Sequence, residues 1–385
     1  MKQKLPINTE ILRWARTSLG LSLEEIGAKF KKSATEIEAW ESGESSPTYP
    51  QLERLAHEIY KRPVAVFFFP AIPDEGSPKT DFRALPEEFL EELPSGMIKL
   101  YRKAKLYQLY LEELFEGEKP VDEPLIDLIR LNSEPPSTTI LNQIRNRLGI
   151  SIPEQSTWHS TDTAFKKWRE AFEAAGIYVF KDAFRNDGYS GFCLHDPKYP
   201  IIFVNNSMPD SRQVFTLFHE LGHLLQQAGG IDFRTNEITR SFRGYYQEVE
   251  VACNRFANQF LVPEESLDQF ELQVNETTVD HLAKYFSVSR EVILRNYRDR
   301  GLVNDALYEE WVSKWNNQAK NRKGDSDGGN YYYTQHAYLG DNYINLVYGK
   351  YYQNKISRDN VAEYLNVKAK NLNTLEYVVM EGGRL

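Results

Sequence analysis

Polar and apolar positions in the first seventy residues repeat with helical spacing, and the clearest repeats open on a hydroxyl residue. "SLEEIGAKF" begins at Ser22 with Glu25 three positions on; "SATEIEAWESG" begins at Ser33 with Glu36 in the same relation and stops at Gly43. A side-chain oxygen and a glutamate at this spacing satisfy free backbone N–H groups at a helix start, so two capped helices are expected. Only Lys31 and Lys32 separate them, which predicts a tight turn. A third helical pattern, "TYPQLERLAHEIY", follows. The Pro- and Gly-broken stretch "KRPVAVFFFPAIPDEGSPKTDFRALPEE" then marks a boundary near residue 70.

Helical spacing resumes from about Leu93 to Phe115 and again in "EPPSTTILNQIRNRLGISIPE". "TAFKKWREAFEAAGIYVF" reads as a helix ending near Gly176 that runs into a β-rich stretch. There "GYSGFCLHDPKYPIIFVNN" gives two short strands around a turn at Asp196 and Pro197. "FTLFHELGHLLQQAGG" and "EVEVACNRFANQFLVPEESLDQF" follow as helices, the second stopped by Pro263. "TTVDHLAKYFSVSREVILRNYRDRGLV" gives helix, short turn and helix. The polar tract "NNQAKNRKGDSDGGN" reads as flexible, and a Tyr-rich segment leads to a last helical pair. The expected class is α+β and predominantly α-helical: an N-terminal all-α domain, then a domain with a small antiparallel sheet and a helical C-terminal extension.

A chain of 385 residues exceeds one ordinary core, so several domains are expected. No apolar run is long enough to cross a bilayer, and "MKQKLPINTEILRWART" lacks the apolar stretch of a secretory signal, which points to the cytoplasm and away from membranes. The two cysteines, Cys193 and Cys253, exclude a disulfide framework and a four-cysteine zinc site, so any metal must rest on histidine and carboxylate. A net charge of −9 argues against nonspecific coating of nucleic acid by the whole molecule.

His219 and His223 stand four apart, hence on one helix face about 5–6 Å from each other, where both imidazoles can reach a single zinc ion. Glu220 is turned about 100° away and can take a proton from an attacking water without being a ligand. Gly222 keeps the opposite side slim. The plain alternative is an amphipathic helix with Phe215, Phe218, Leu221, Leu224 and Leu225 in the core; it accounts for the apolar residues and leaves the His-Glu-His triplet unexplained. Glu237, Glu248 and Glu250 are candidates for a third ligand. Glu250 is favoured because it shares a face with Asn254, while Val251, Phe256, Ala257 and Phe260 are placed to pack on the first helix.

"FTLFHELGHLL" followed by "E-x-x-C-N-R-F-A-x-x-F-L-V-P" resembles the ImmA/IrrE family of zinc metallopeptidases. The resemblance implies a zincin-like domain with zinc on His219, His223 and Glu250 and catalysis by Glu220. Cys253 stands where the family has a small Ala, and Val262 where Met is common; both changes are expected to affect packing rather than chemistry. The likeness extends to the N-terminal helices, to "PVAVFFFP" and "DFR", and to "YLG" in the Tyr-rich tail. It implies an XRE-type helix-turn-helix at 1–70, a linker with connecting helices at 71–135 and the peptidase domain at 136–270. A helix-turn-helix-like helical module follows at 271–320, then a flexible tract and Tyr-rich helical segment at 321–385.

Peptide cleavage also needs a strand edge to align the substrate, and "SGFCLHD", residues 190–196, is the expected edge. Tyr245, Tyr246, His195 and Arg243 are considered for the oxyanion, and none is assigned. In the first domain, the second helix of the motif would enter the major groove of double-stranded DNA, with Lys29, Lys31 and Lys32 on phosphates and Ser33 and Thr35 in reach of DNA. Glu36, Glu38, Glu41 and Glu44 make that helix acidic, and Ala34 and Ala39 replace polar readers. Ten basic against nine acidic residues over 1–70 give only a mild positive balance.

The leading expectation is a zinc-dependent endopeptidase fused to a DNA-binding regulator domain, with a repressor or toxin-system component as substrate and a homodimer as its own assembly. The competing one is a noncatalytic regulator or antitoxin-like protein that uses the zincin fold as a scaffold for partner binding.

Overall fold

The computed structural model describes residues 4–380 apart from 61, 63, 74–80, 83–84, 86–88, 91–92, 133, 234–243 and 323–329. The chain divides into two compact units, Met1–Asp81 with Glu87–Lys103, and Phe82–Pro86 with Ala104–Leu385.

The first unit is all-helical: α1 (Thr9–Thr17), α2 (Leu23–Phe30), α3 (Ala34–Glu41) and α4 (Tyr49–Arg54), which continues as a π-helical turn over Leu55–Tyr60. Both expected capping boxes form. The Glu25 amide donates to Ser22 Oγ at 3.1 Å and the Ser22 amide to Glu25 Oε2 at 2.7 Å; Ser33 and Glu36 repeat the exchange. Lys31 closes α2 in the left-handed conformation, φ 55°. At Gly27 an added Cβ would lie 2.5 Å from the Lys32 carbonyl oxygen, so this tight turn requires glycine inside the helix.

Ile11, Leu12, Ile26, Ile37, Trp40 and Leu52 form the core of this unit. Glu41, expected to add to the acidic surface of α3, is instead buried. Arg16 donates to it through Nε at 2.7 Å and Nη2 at 2.9 Å, a two-point pairing that helical spacing alone does not reveal.

The second unit is built on a four-stranded sheet. Its strands are β1 (Tyr178–Asp182), β2 (Tyr189–Leu194), β3 (Ile201–Asn205) and β4 (Gly230–Phe233), in the order β1-β3-β2-β4. The sheet is mixed, which corrects the antiparallel expectation: β1 pairs parallel with β3, while β2 pairs antiparallel with β3 and β4. The β2–β3 hairpin folds back so that β3 lies beside β1, and strands buried along most of their length carry no pattern that encodes direction. Residues 190–196 are not an edge either, because β2 lies between β3 and β4. The edges are β1 and β4, and β4 was too short to be read from sequence.

Strand alternation divides the two faces. On one, Phe180, Phe192 and Phe203 form an aromatic layer with Tyr107, which lies on α5 (Ser95–Leu114), and with Tyr343. On the other, Val179, Cys193, Ile202 and Val204 meet a core that includes Ile144 of α6 (Thr138–Leu148), Trp168 of α7 (Thr161–Ala174), Phe218 and Phe260. The helices Glu276–Tyr285 and Arg290–Asp299 contribute Val279, Leu282, Ile293 and Tyr297 to that same core.

The tract expected to be flexible begins as helix, since Asp305–Arg322 includes its first residues; positions 323–329 lie outside the described residues. The Tyr-rich tail then docks through Arg169. This buried guanidinium donates to the carbonyls of Ala337 at 2.9 Å and Tyr338 at 3.0 Å and pairs with Glu173. A Cβ at Gly340 (φ +79°) would overlap the guanidinium.

Replacing Glu41 with leucine strands Arg16 in the first unit without its carboxylate. The expected cost is about 3 kcal/mol, the lower end for a broken buried pair because Arg16 keeps some access to water. Hydrogen exchange over residues 9–60 measures it as lost protection.

Candidate metal centre

The helix Asp210–Leu225, here α8, is buried on all sides from Gln213 to Leu225. Its apolar face explains much of this: Phe218 stacks on Phe260 at 4.6 Å and meets Trp168 edge-on at 4.8 Å. A helix that also carries His219, Glu220 and His223 can be buried only if its neighbours come close and complete the polar groups.

Three glycines allow that approach. A Cβ at Gly191 on β2 would lie 2.4 Å from Thr216 Cγ2. One at Gly222 would lie 3.1–3.2 Å from Cys253, and one at Gly230 on β4 would fall 2.2 Å from His223 Cδ2, inside the imidazole. Alternation puts Gly191 and Cys193, and likewise Gly230 and Asp232, on the face toward α8.

Opposite Gly222 runs the helix Tyr245–Leu261, here α9. It buries Val249, Glu250 and Cys253, while Val251 is 48% exposed; the expected packing role of Val251 is therefore taken by Val249 and Cys253. Phe256, Ala257 and Phe260 are buried as expected.

His219 Nε2 and His223 Nε2 lie 3.1 Å apart. Glu250 Oε2 is 3.4 Å from the first and Glu250 Oε1 is 3.3 Å from the second. Donors held at about 2.0–2.1 Å by a tetrahedral ion stand about 3.3 Å from one another, so this triangle has the size that a metal ion needs. His219, His223 and Glu250 are the group among the described residues that could hold one. Glu248 is exposed, and Glu237 lies outside the described residues.

Burial opposes a charge on His219, but Asp232 and then Glu250 hold its pKa up to about 9. His223 is raised well above the usual value against the same penalty, by Cys253 and Glu250. Burial would raise Glu250, yet His223 and His219 keep it at about 2.

Glu220 behaves differently. Burial pushes it up to about 7 despite the pull of His223 and His219, and its carboxyl meets no N–H or O–H donor among the described residues, only the buried Cys193 thiol, a weak donor.

Sequence reading missed Asp232. It accepts from Arg212 Nη2 at 2.6 Å and from Thr216 Oγ1 at 2.7 Å, while Arg212 also donates to Ser190 Oγ and the Phe233 carbonyl. This network ties β2 and β4 to α8 and so fixes Gly230 against His223. The alternation of "GIDF" was the available signal, in a strand of four residues.

Tyr245 is exposed, Tyr246 half-buried, and neither they nor His195 belong to the metal-sized cluster; Arg243 lies outside the described residues. In the first unit Lys29, Lys31, Ser33 and Thr35 are exposed. Lys32 is half-buried and pairs with Glu36 at 2.6 Å, and Ser33 Oγ and Thr35 Oγ1 are 2.9 Å apart.

Gly230→Ala puts a methyl group into the His223 ring. Zinc affinity is expected to fall about 10–100-fold with the circular dichroism spectrum unchanged, and metal titration of both proteins measures it.

A comparison with curated proteins gives no match to the chain. Residues 12–59 match the helix-turn-helix family. Residues 172–297, which include β1 through β4 and every member of the cluster, match a peptidase family described as the IrrE N-terminal-like domain, so the chain carries a helix-turn-helix match followed by an IrrE-like match.

Proposed function

We propose that this chain is a zinc-dependent endopeptidase joined to a DNA-binding regulator unit, and that it cleaves a protein partner such as a repressor or a toxin-system component. The observation that carries the reading is Glu220, a buried carboxyl that meets no N–H or O–H donor among the described residues, only the weakly donating Cys193 thiol, and stands next in sequence to a donor of the cluster. A site serving only as a scaffold gains nothing from that group and bears the cost of burying it.

His219, His223 and Glu250 would hold the ion. When bound, zinc supplies a Lewis acid that polarises a peptide carbonyl and lowers the pKa of water. Glu220 takes the proton of the attacking water and delivers it to the leaving amine, and its burial, which opposes the charged form, favours acceptance of that proton. The Asp232 network keeps His219 and β4 in register, and the outer side of β4 offers backbone groups along which an extended substrate can lie.

In the first unit, Lys29 and Lys31 contact phosphates, and Ser33 and Thr35 stand at the start of α3, where base edges come within reach. Lys32 joins them by exchanging Glu36 for a phosphate.

Glu220→Gln tests the catalytic role. The variant is expected to bind zinc and melt like the parent while cleavage of the partner protein falls about 10²–10⁴-fold. Full cleavage by the variant would reject the assignment of the base, and an unchanged cellular phenotype in a cleavage-dead variant would favour the scaffold.

DNA binding is tested by gel shift with a pool of duplexes at about 50 mM salt. The full chain is expected to retard DNA, and the double variant Lys29→Ala, Lys31→Ala to reduce the salt slope by about 2. No retardation at low salt would remove DNA from the proposal.

A further inference from the structure

Beside Glu250 lies a cleft of about 540 Å³, walled by α9 and by the helix Arg290–Asp299 with the residues just after it. Its lining carries four arginines, Arg255, Arg295, Arg298 and Arg300, against Glu264 and Asp299 besides Glu250 itself. Three of these arginines already face a carboxylate: Arg298 pairs with Asp299 at 3.1 Å, Arg300 with Asp268, and Arg295 through one nitrogen with Glu291 at 3.3 Å. Arg255 is exposed and has no ion-pair or hydrogen-bond partner among the described residues.

Arg295 is the anchor of this wall. Only 7% of it is exposed, and its Nε has no hydrogen-bond partner among the described residues. Its other nitrogens are held in place: Nη1 donates to Asn254 Oδ1 and Nη2 to Glu291 Oε1, both at 3.3 Å. Asn254 in turn donates to the carbonyl of Glu250. The guanidinium also lies 5.0 Å from the centre of the Phe215 ring, and that ring is 6.5 Å from His219. Arg295 therefore touches both the helix that carries the histidines and the one that carries Glu250.

A buried guanidinium with an unsatisfied edge, rigidly held next to a cutting site and followed outward by an uncommitted arginine, is suited to carboxylates. We infer that this cleft takes an acidic stretch of the substrate polypeptide, with Arg295 and Arg255 binding Asp or Glu side chains close to the bond presented to Glu220. The inference rests on the peptidase reading for what is cut there, whereas the binding chemistry stands on the cleft alone.

The test separates the two. Fluorescein-labelled hexaglutamate, blocked at both ends, is titrated with the zinc-loaded full chain carrying Glu220→Gln, beside hexaglutamine of the same design. Anisotropy is expected to show binding of the glutamate peptide only, weakened by salt and reduced about tenfold or more by Arg255→Glu or Arg295→Met. Arg255 is exposed, so its variant keeps the test meaningful if Arg295→Met fails to fold. Equal affinity for the two peptides, or hexaglutamate binding untouched by Arg255→Glu, overturns the inference.

In parallel, the parent chain is incubated with a mixed peptide pool and cleavage sites are read by mass spectrometry. Enrichment of Asp and Glu near the cut bonds supports the acidic cleft. Cleavage without that preference overturns it and leaves the peptidase intact. Selective hexaglutamate binding without any cleavage supports the cleft and counts against the peptidase reading.

Discussion

Everything in the second unit depends on bringing a helix with charged groups at its centre to within van der Waals distance of a sheet and another helix. Gly191, Gly222 and Gly230 make that possible by leaving no side chain at the points of closest approach. The apolar residues of α8 account for its burial on one side through Phe218, Phe260 and Trp168. On the other side, burial is tolerable only because the imidazoles meet Glu250, and Thr216 and Arg212 meet Asp232. Glu220 is left with only the weakly donating Cys193 thiol to offset its burial.

The two carboxylates at the centre illustrate how environment sets chemistry. Glu250 and Glu220 are both fully enclosed by protein. Glu250 lies against two imidazoles and is held ionised, whereas Glu220 is governed by burial and titrates near neutrality. One carries the negative charge that a cation needs and the other holds its proton more tightly than an exposed carboxyl does, a contrast between residues of the same type.

Much of this was legible in the sequence because it rests on short-range rules. Capping boxes at Ser22 and Ser33 fix helix starts, and a spacing of four places two histidines on one face; both relations are local. The strand positions around the Asp196–Pro197 turn were legible for the same reason. Sheet direction and order were not, since uniformly buried strands such as β3 carry no alternation, and β4 is only four residues long. The pairings of Glu41 with Arg16 and of Asp232 with Arg212 join residues 20 or more positions apart, and no local pattern announces them. Val251 was misplaced because a helix face judged from apolar residues alone is uncertain by one position, and Val249 and Cys253 took the inward side.

The attachment of the Tyr-rich tail has a different character. Arg169 grips carbonyl oxygens of residues 337 and 338, which every amino acid possesses, and the sharp demand at the contact falls on Gly340. Recognition of this kind is nearly blind to side-chain identity. The solvent-facing side chains of the tail are therefore free to diverge, as tyrosines or as anything else, whereas the inward-facing Leu339 and Tyr343 are tied to the body beneath.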